Sequence, residues 1–106
     1  MILWLVILKK KNVKVNSLTY FDIDSDLDIG KVDENYLFDV LSKIKLEDSD
    51  ALFVSCTALP ALSIINRLEK KINKTVLSSN QTLIWDSLNE INYKEKIDGF
   101  GKLFNS

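Results

Sequence analysis

Two clusters of side chains in this chain have the types and spacing to do chemistry. The first is Ser55-Cys56-Thr57, which holds the only cysteine; the second is Ser78-Ser79-Asn80-Gln81. Histidine is absent. One thiol cannot close a disulfide within the chain, and without histidine the chain cannot build a Cys/His zinc site. A Ser-His-Asp triad and a Cys-His pair are excluded within the polypeptide on the same ground. Acid–base chemistry near neutral pH is left to the thiol, carboxylates, lysines and tyrosines.

The elements that must position these groups can be read around them. Ala51, Leu52, Phe53 and Val54 form a short apolar run that stops at Ser55, and Pro60 and a helically spaced apolar pattern follow. That is the outline of a buried strand, a tight turn and a helix start. The pattern predicts a helix over 59–72 that buries Leu62, Ile65, Leu68 and Ile72 and leaves Arg67, Lys70 and Lys71 outside. A second unit repeats the layout: a strand over Thr75–Leu77, the polar turn Ser78–Gln81, and a helix from about Thr82. Leu83, Ile84, Leu88 and Ile91 would supply its apolar side, with Trp85 one turn in.

In open parallel sheets ligands bind beyond the carboxyl ends of the strands, where both polar turns would lie. A helix N-terminus favours an anion, through its unpaired N–H groups and its dipole. Ser, Thr and Asn are the residues that cap such ends. Two neighbouring helix starts of this kind suit one or two carboxylate groups. Neither GxGxxG nor GxxxxGK[ST] occurs, so a nucleotide phosphate loop is not indicated. At a helix start the Cys56 thiol would be more acidic, hence a candidate nucleophile or proton carrier. A buried structural cysteine at a strand end is the other reading of the same residue.

The remaining chain supports an α/β reading. Met1–Leu8 is continuously apolar but far short of the about 20 residues that span a bilayer. Its lysines follow the run instead of preceding it, unlike a signal peptide, so it reads as a buried strand or helix of the fold. Val13, Val15 and Leu18 predict a short strand towards Tyr20. Asp22, Asp24, Asp26 and Asp28 alternate as in calcium loops. Leu27 and Asp33, however, stand where an EF-hand needs glycine and glutamate, so a solvated acidic loop is the reading. A helix is predicted from Asp33 or Glu34, with a stripe of Tyr36, Leu37, Val40, Leu41 and Ile44 and with Lys43 and Lys45 at its end. The segment 96–106 reads as a tail packing Phe100, Leu103 and Phe104 on the body. Alternating strands and helices without hairpin signals predict a parallel sheet with helices on both faces.

With 106 residues, 46% hydrophobic and 27% charged, the chain is sized for a single domain over 1–106. Its net charge of −1 offers no basic stripe for a phosphate backbone, so nucleic acid is not an expected partner, nor is a membrane. A free thiol without disulfides fits a reducing cytoplasm.

The stretch DALFVSCTALPALSIINRLEKKINKTVLSSNQTLIWDSL, with DIGKV before it and GFGKLF after it, resembles the C-terminal half of maleate cis-trans isomerases. These belong with arylmalonate decarboxylase in the aspartate/glutamate racemase superfamily. The resemblance covers most of the chain from about Val13 onward. It implies a flavodoxin-like half-domain, truncated at its N-terminus, from an enzyme with two such halves across a pseudo-twofold. Cys56 would then be a catalytic cysteine. The N–H groups of Cys56 and Thr57 would hold a substrate carboxylate, and Ser55, Ser79 and Asn80 would lie along the same edge. No metal or organic cofactor is implied.

In maleate isomerase the other half's cysteine adds to the double bond, the bond rotates, and elimination gives fumarate. The cysteine matching Cys56 assists, in proton handling. Here the N-terminal half, the strand opening the C-terminal half and its tyrosine-bearing turn have no counterpart, and Met1–Lys11 falls where the helix after that strand would end. In a strand order 2-1-3-4 the missing strand would separate the Val13 and Phe53 strands. The expected ligand is a small carboxylate or dicarboxylate. The expected protein partner is the missing half or, in a homo-oligomer, a second copy. The alternatives are an inactive remnant or small dicarboxylate-binding domain, and a related racemase or decarboxylase.

Overall fold

The computed structural model describes residues 12–15, 31–46, 49–55 and 60–105. Expectations for Met1–Leu8, for Leu18 to Tyr20 and for the acidic loop of Asp22–Asp28 lie outside those residues. The described elements run in the order α1 (Glu34–Ser42), β1 (Ala51–Val54), a 3-10 turn (Leu62–Ile64), α2 (Ile65–Ile72), β2 (Thr75–Ser78), α3 (Ser79–Glu90) and a final 3-10 turn (Lys102–Asn105). Strands β1 and β2 pair in parallel, with Ala51 opposite Thr75 and Val54 opposite Ser78. The architecture is α/β, a parallel sheet with helices packed on it.

Strand alternation puts Leu52, Val54 and Val76 on one face of this sheet. There they meet Leu37 and Leu41 of α1, and Ala61, Ile64, Ile65 and Leu68 at and before α2. Helix α1 is started by Asp33, whose carboxylate accepts the N–H of Asn35 at 2.7 Å. Such a cap contributes about 1 kcal/mol. Helix α2 ends at Asn73, whose left-handed backbone (φ 55°) turns the chain into β2. The Arg67 guanidinium lies 4.4 Å over the Phe38 ring, tying the outer faces of α1 and α2 together.

Four expectations are corrected. Val13 is exposed and residues 13–15 form no strand; among the described residues the sheet is β1 and β2, and an exposed Val13 has no buried face to alternate onto. The helix expected from Leu59 opens instead as a 3-10 turn, with α2 proper starting at Ile65. That turn lets the consecutive Ile64 and Ile65 both reach the core. The last helix starts at Ser79, not Thr82, because Ser78 caps it directly from the strand end. Its inner face is also rotated from the expected one. Gln81 is buried and Thr82, Trp85, Leu88 and Asn89 are half-buried, whereas Leu83, Ile84 and Ile91 are exposed. Positions 81, 85 and 88 share one face at helical spacing, and the hydrogen-bonding needs of Gln81 turn that face inward.

The tail packs through Phe104, which is buried, while Leu103 is half-buried. The Phe100 ring meets that of Phe104 edge-on at 6.4 Å but stays 38% exposed. Among the described residues no helix is long and apolar enough to cross a membrane.

Candidate active site

The parallel register decides where the two polar clusters meet. Val54 pairs with Ser78, so both strands end at the same level of the sheet. Ser55 therefore leaves β1 beside the point where Ser79 leaves β2. The structure thus brings Ser55, Ser79 and Asn80 to one edge, the carboxyl edge at which parallel sheets receive ligands. Cys56 and Thr57, predicted to share that edge, lie outside the described residues.

The β2–α3 corner is built without a loop. Ser78 is the last residue of β2 and the cap of α3. Its hydroxyl accepts the N–H of Gln81 at 3.2 Å, and its own N–H donates to Gln81 Oε1 at 3.1 Å. This reciprocal capping box fixes Ser79 and Asn80 as the first two residues of the helix. The Thr82 hydroxyl donates to the Ser78 carbonyl at 2.8 Å, bracing the same corner. Ser79 and Asn80 are half-buried there. The positive end of the dipole of α3 is thus presented at the strand edge, next to hydroxyl and amide side chains.

The β1 side differs. The Leu62–Ile64 turn has no side-chain cap, and five residues, Pro60 to Ile64, separate the last undescribed position from the start of α2.

Two buried polar residues behind the corner escaped the sequence reading. Gln81 is fully buried, and its Nε2 donates to the Phe100 carbonyl at 2.7 Å. Glu69, 5% exposed, accepts the N–H of Val76 on Oε2 and the N–H of Lys102 on Oε1, each at 2.9 Å. For Gln81 the sequence carries a usable signal, since Ser78-x-x-Gln81 is a capping-box spacing. Glu69 gives none, because an acid followed by Lys70 and Lys71 reads as solvent-facing.

A pocket between α3 and the tail is lined by residues that include Trp85, Leu88, Tyr93, Lys94, Lys96 and Phe104. Trp85 lies six residues along α3 from Ser79, roughly 9 Å at the helical rise, so the pocket is separate from the strand edge.

Comparison with known proteins agrees with this fold. A sequence profile of arylmalonate decarboxylase matches residues 3–104. The chain is 23% identical over 92 residues to a maleate isomerase of Geobacillus stearothermophilus, covering 86% of this chain and 37% of that protein. It superposes on a crystal structure of arylmalonate decarboxylase with a TM-score of 0.81 at 25% identity, covering 94% of this chain and 45% of that one. A glycine-to-cysteine mutant of arylmalonate decarboxylase in a sulfate-associated form gives 0.82 at 25% identity, covering 95% and 45%. The chain spans less than half the length of each of these proteins.

Proposed function

The chain belongs to the arylmalonate decarboxylase family, within the aspartate/glutamate racemase-like group, and from that premise we propose that it is half of a maleate cis-trans isomerase-like enzyme. The observation that carries this reading is the Val54–Ser78 register, which aligns Ser55 with Ser79 and Asn80 at the strand edge. Hydroxyl, amide and helix-end groups there bind one carboxylate of a small dicarboxylate. The curated maleate isomerase relative supports the choice of maleate.

The chemistry needs a second thiol on the opposite side of the substrate. In the proposed reaction that thiolate adds to one alkene carbon, and the electron pair of the double bond takes a proton from the Cys56 thiol at the other carbon. The two carboxylates rotate about the single bond that is left, and Cys56 takes the proton back as the pair returns. Expulsion of the thiolate restores the double bond as fumarate, with no net change in protons or electrons. Cys56, one residue past Ser55, handles the proton on this side. The reaction uses no metal or organic cofactor. The second thiol comes from a polypeptide equivalent to the remaining half of the relatives, or from Cys56 of a second copy.

The test follows the loss of maleate absorbance with the chain alone, with the polypeptide of the remaining half alone, and with both. Turnover with both supports the reading; no turnover with the partner present overturns it. If light scattering finds the chain only as a monomer, the second-copy version is removed.

A second reading is a small dicarboxylate-binding domain without thiol chemistry, favoured by the capped start of α3 at Ser78, whose hydroxyl and amide neighbours hold a carboxylate without a thiol. That version predicts carboxylate binding that Cys56→Ser leaves unchanged and no turnover under any combination.

A further inference from the structure

The corner that carries Ser79 and Asn80 is held from behind by a distant part of the chain. Gln81 grips the Ser78 N–H with its Oε1 and the Phe100 carbonyl with its Nε2. Glu69 grips the Val76 N–H with one oxygen and the Lys102 N–H with the other. Each side chain thus has one end on β2 and the other on the segment Phe100–Lys102. Gly101 lies between them with φ +95°. A Cβ there would fall 2.7 Å from Ile65 Cγ2 and 2.8 Å from Gln81 Nε2. The close approach that both hydrogen bonds require is therefore available only to glycine.

We propose that Gln81 and Glu69 are positioning residues for the carboxylate ligand, and that Phe100–Lys102 is the strap through which they act. This rests on the reading of the strand edge given above. Displacing the strap strips a partner from the buried Gln81 amide, and that amide also forms half of the capping box. An unsatisfied buried amide is costly, so Gln81 reorients or α3 frays at its first turn. Either outcome moves Ser79 and Asn80 away from the place beside Ser55 that the capped corner gives them. Neither Gln81 nor Glu69 has to touch the ligand.

The experiment uses the full chain, reading amide hydrogen exchange residue by residue and titrating with maleate. Gly101→Ala and Gln81→Met break the strap in different ways. Gly99→Ala is the control, because Gly99 has a similar φ of +93° but nothing within 4 Å of its added Cβ.

Both strap variants are expected to speed exchange at Ser78 and Gln81 about tenfold or more while the amides of α1 keep their wild-type rates. Maleate affinity is expected to fall about fivefold or more, and by linkage saturating maleate slows the corner's exchange again. A merely structural contact would loosen the corner and leave maleate affinity unchanged. Gly99→Ala carries the same backbone strain without the clash, so it is expected to move both readouts much less than Gly101→Ala does. If Gly101→Ala does not fold, Gln81→Met decides alone. Wild-type exchange at the corner in the strap variants overturns the inference, as does a loosened corner with unchanged maleate affinity. Failure of the wild-type chain to bind maleate is a different result: it overturns the functional reading, and the ligand role of the strap falls with it.

Discussion

Glu69 and Lys102 are 33 residues apart in the chain, yet the Glu69 carboxylate accepts the Lys102 N–H at 2.9 Å. The other oxygen of the same carboxylate takes the N–H of Val76, in the middle of β2. One buried side chain on α2 therefore joins the end of the fold to its sheet.

Removing that side chain leaves two backbone donors without their acceptor. Glu69→Ala is expected to lower the unfolding free energy by about 3 kcal/mol, and Glu69→Gln, which keeps one acceptor oxygen, by about half as much. Urea denaturation followed by circular dichroism measures both. An unchanged stability for Glu69→Gln beside a large loss for Glu69→Ala would show that the side chain acts by filling space and not as a double acceptor.

The corner at Ser78 makes a smaller and more local prediction. Ser78→Ala removes the acceptor for the Gln81 N–H and is expected to cost about 1 kcal/mol. The shift in urea midpoint should come without a change in the slope of the transition. Gln81→Met is expected to cost more, because it also orphans the Ser78 N–H and the Phe100 carbonyl.

The rotated face of α3 is checked by contrast with the core. Leu68, fully buried on α2, is expected to cost about 2 to 5 kcal/mol on change to alanine. Leu83, 62% exposed on α3, is expected to tolerate Leu83→Ala within about 0.5 kcal/mol. Losses of similar size at the two positions would place Leu83 in a packed interface.

Chemistry at the thiol separates the two functional readings. In the reconstituted assay, Cys56→Ser is expected to lower maleate turnover by about 100-fold or more while leaving maleate affinity within about twofold. A serine variant that turns over at the wild-type rate would remove Cys56 from the mechanism.

Much of this arrangement could be read from residue patterns. The run Ala51–Val54 and the small polar residues after it located β1 to the residue, and the helix carrying Leu37 and Leu41 followed from its spacing. The order of these patterns points to the parallel α/β class, since alternating strands and helices leave few ways to bury both.

What was not legible depended on contacts between distant residues. Gln81 is polar, so a count of apolar positions turned α3 the wrong way, although its inward face is set by two hydrogen bonds. Glu69 looks like a surface acid until its partners, seven and 33 residues away, are known. Val13 and Val15 alternate with polar residues as in a strand, but Val13 is exposed, and alternation alone does not say which side of a segment is buried. The 3-10 start before α2 answers to the packing of Ile64 and Ile65, which a periodic pattern does not encode.

The central claim is that the edge joining Ser55 to Ser79 and Asn80 receives a small dicarboxylate. An amide-resolved NMR titration of the full chain with maleate tests it most directly. The account predicts saturable shifts concentrated at Ser55, Ser79 and Asn80, with the amides of α1 unmoved. Saturation with the shifts centred instead on Trp85, Tyr93 and Phe104, or no shifts at any maleate concentration, would contradict it.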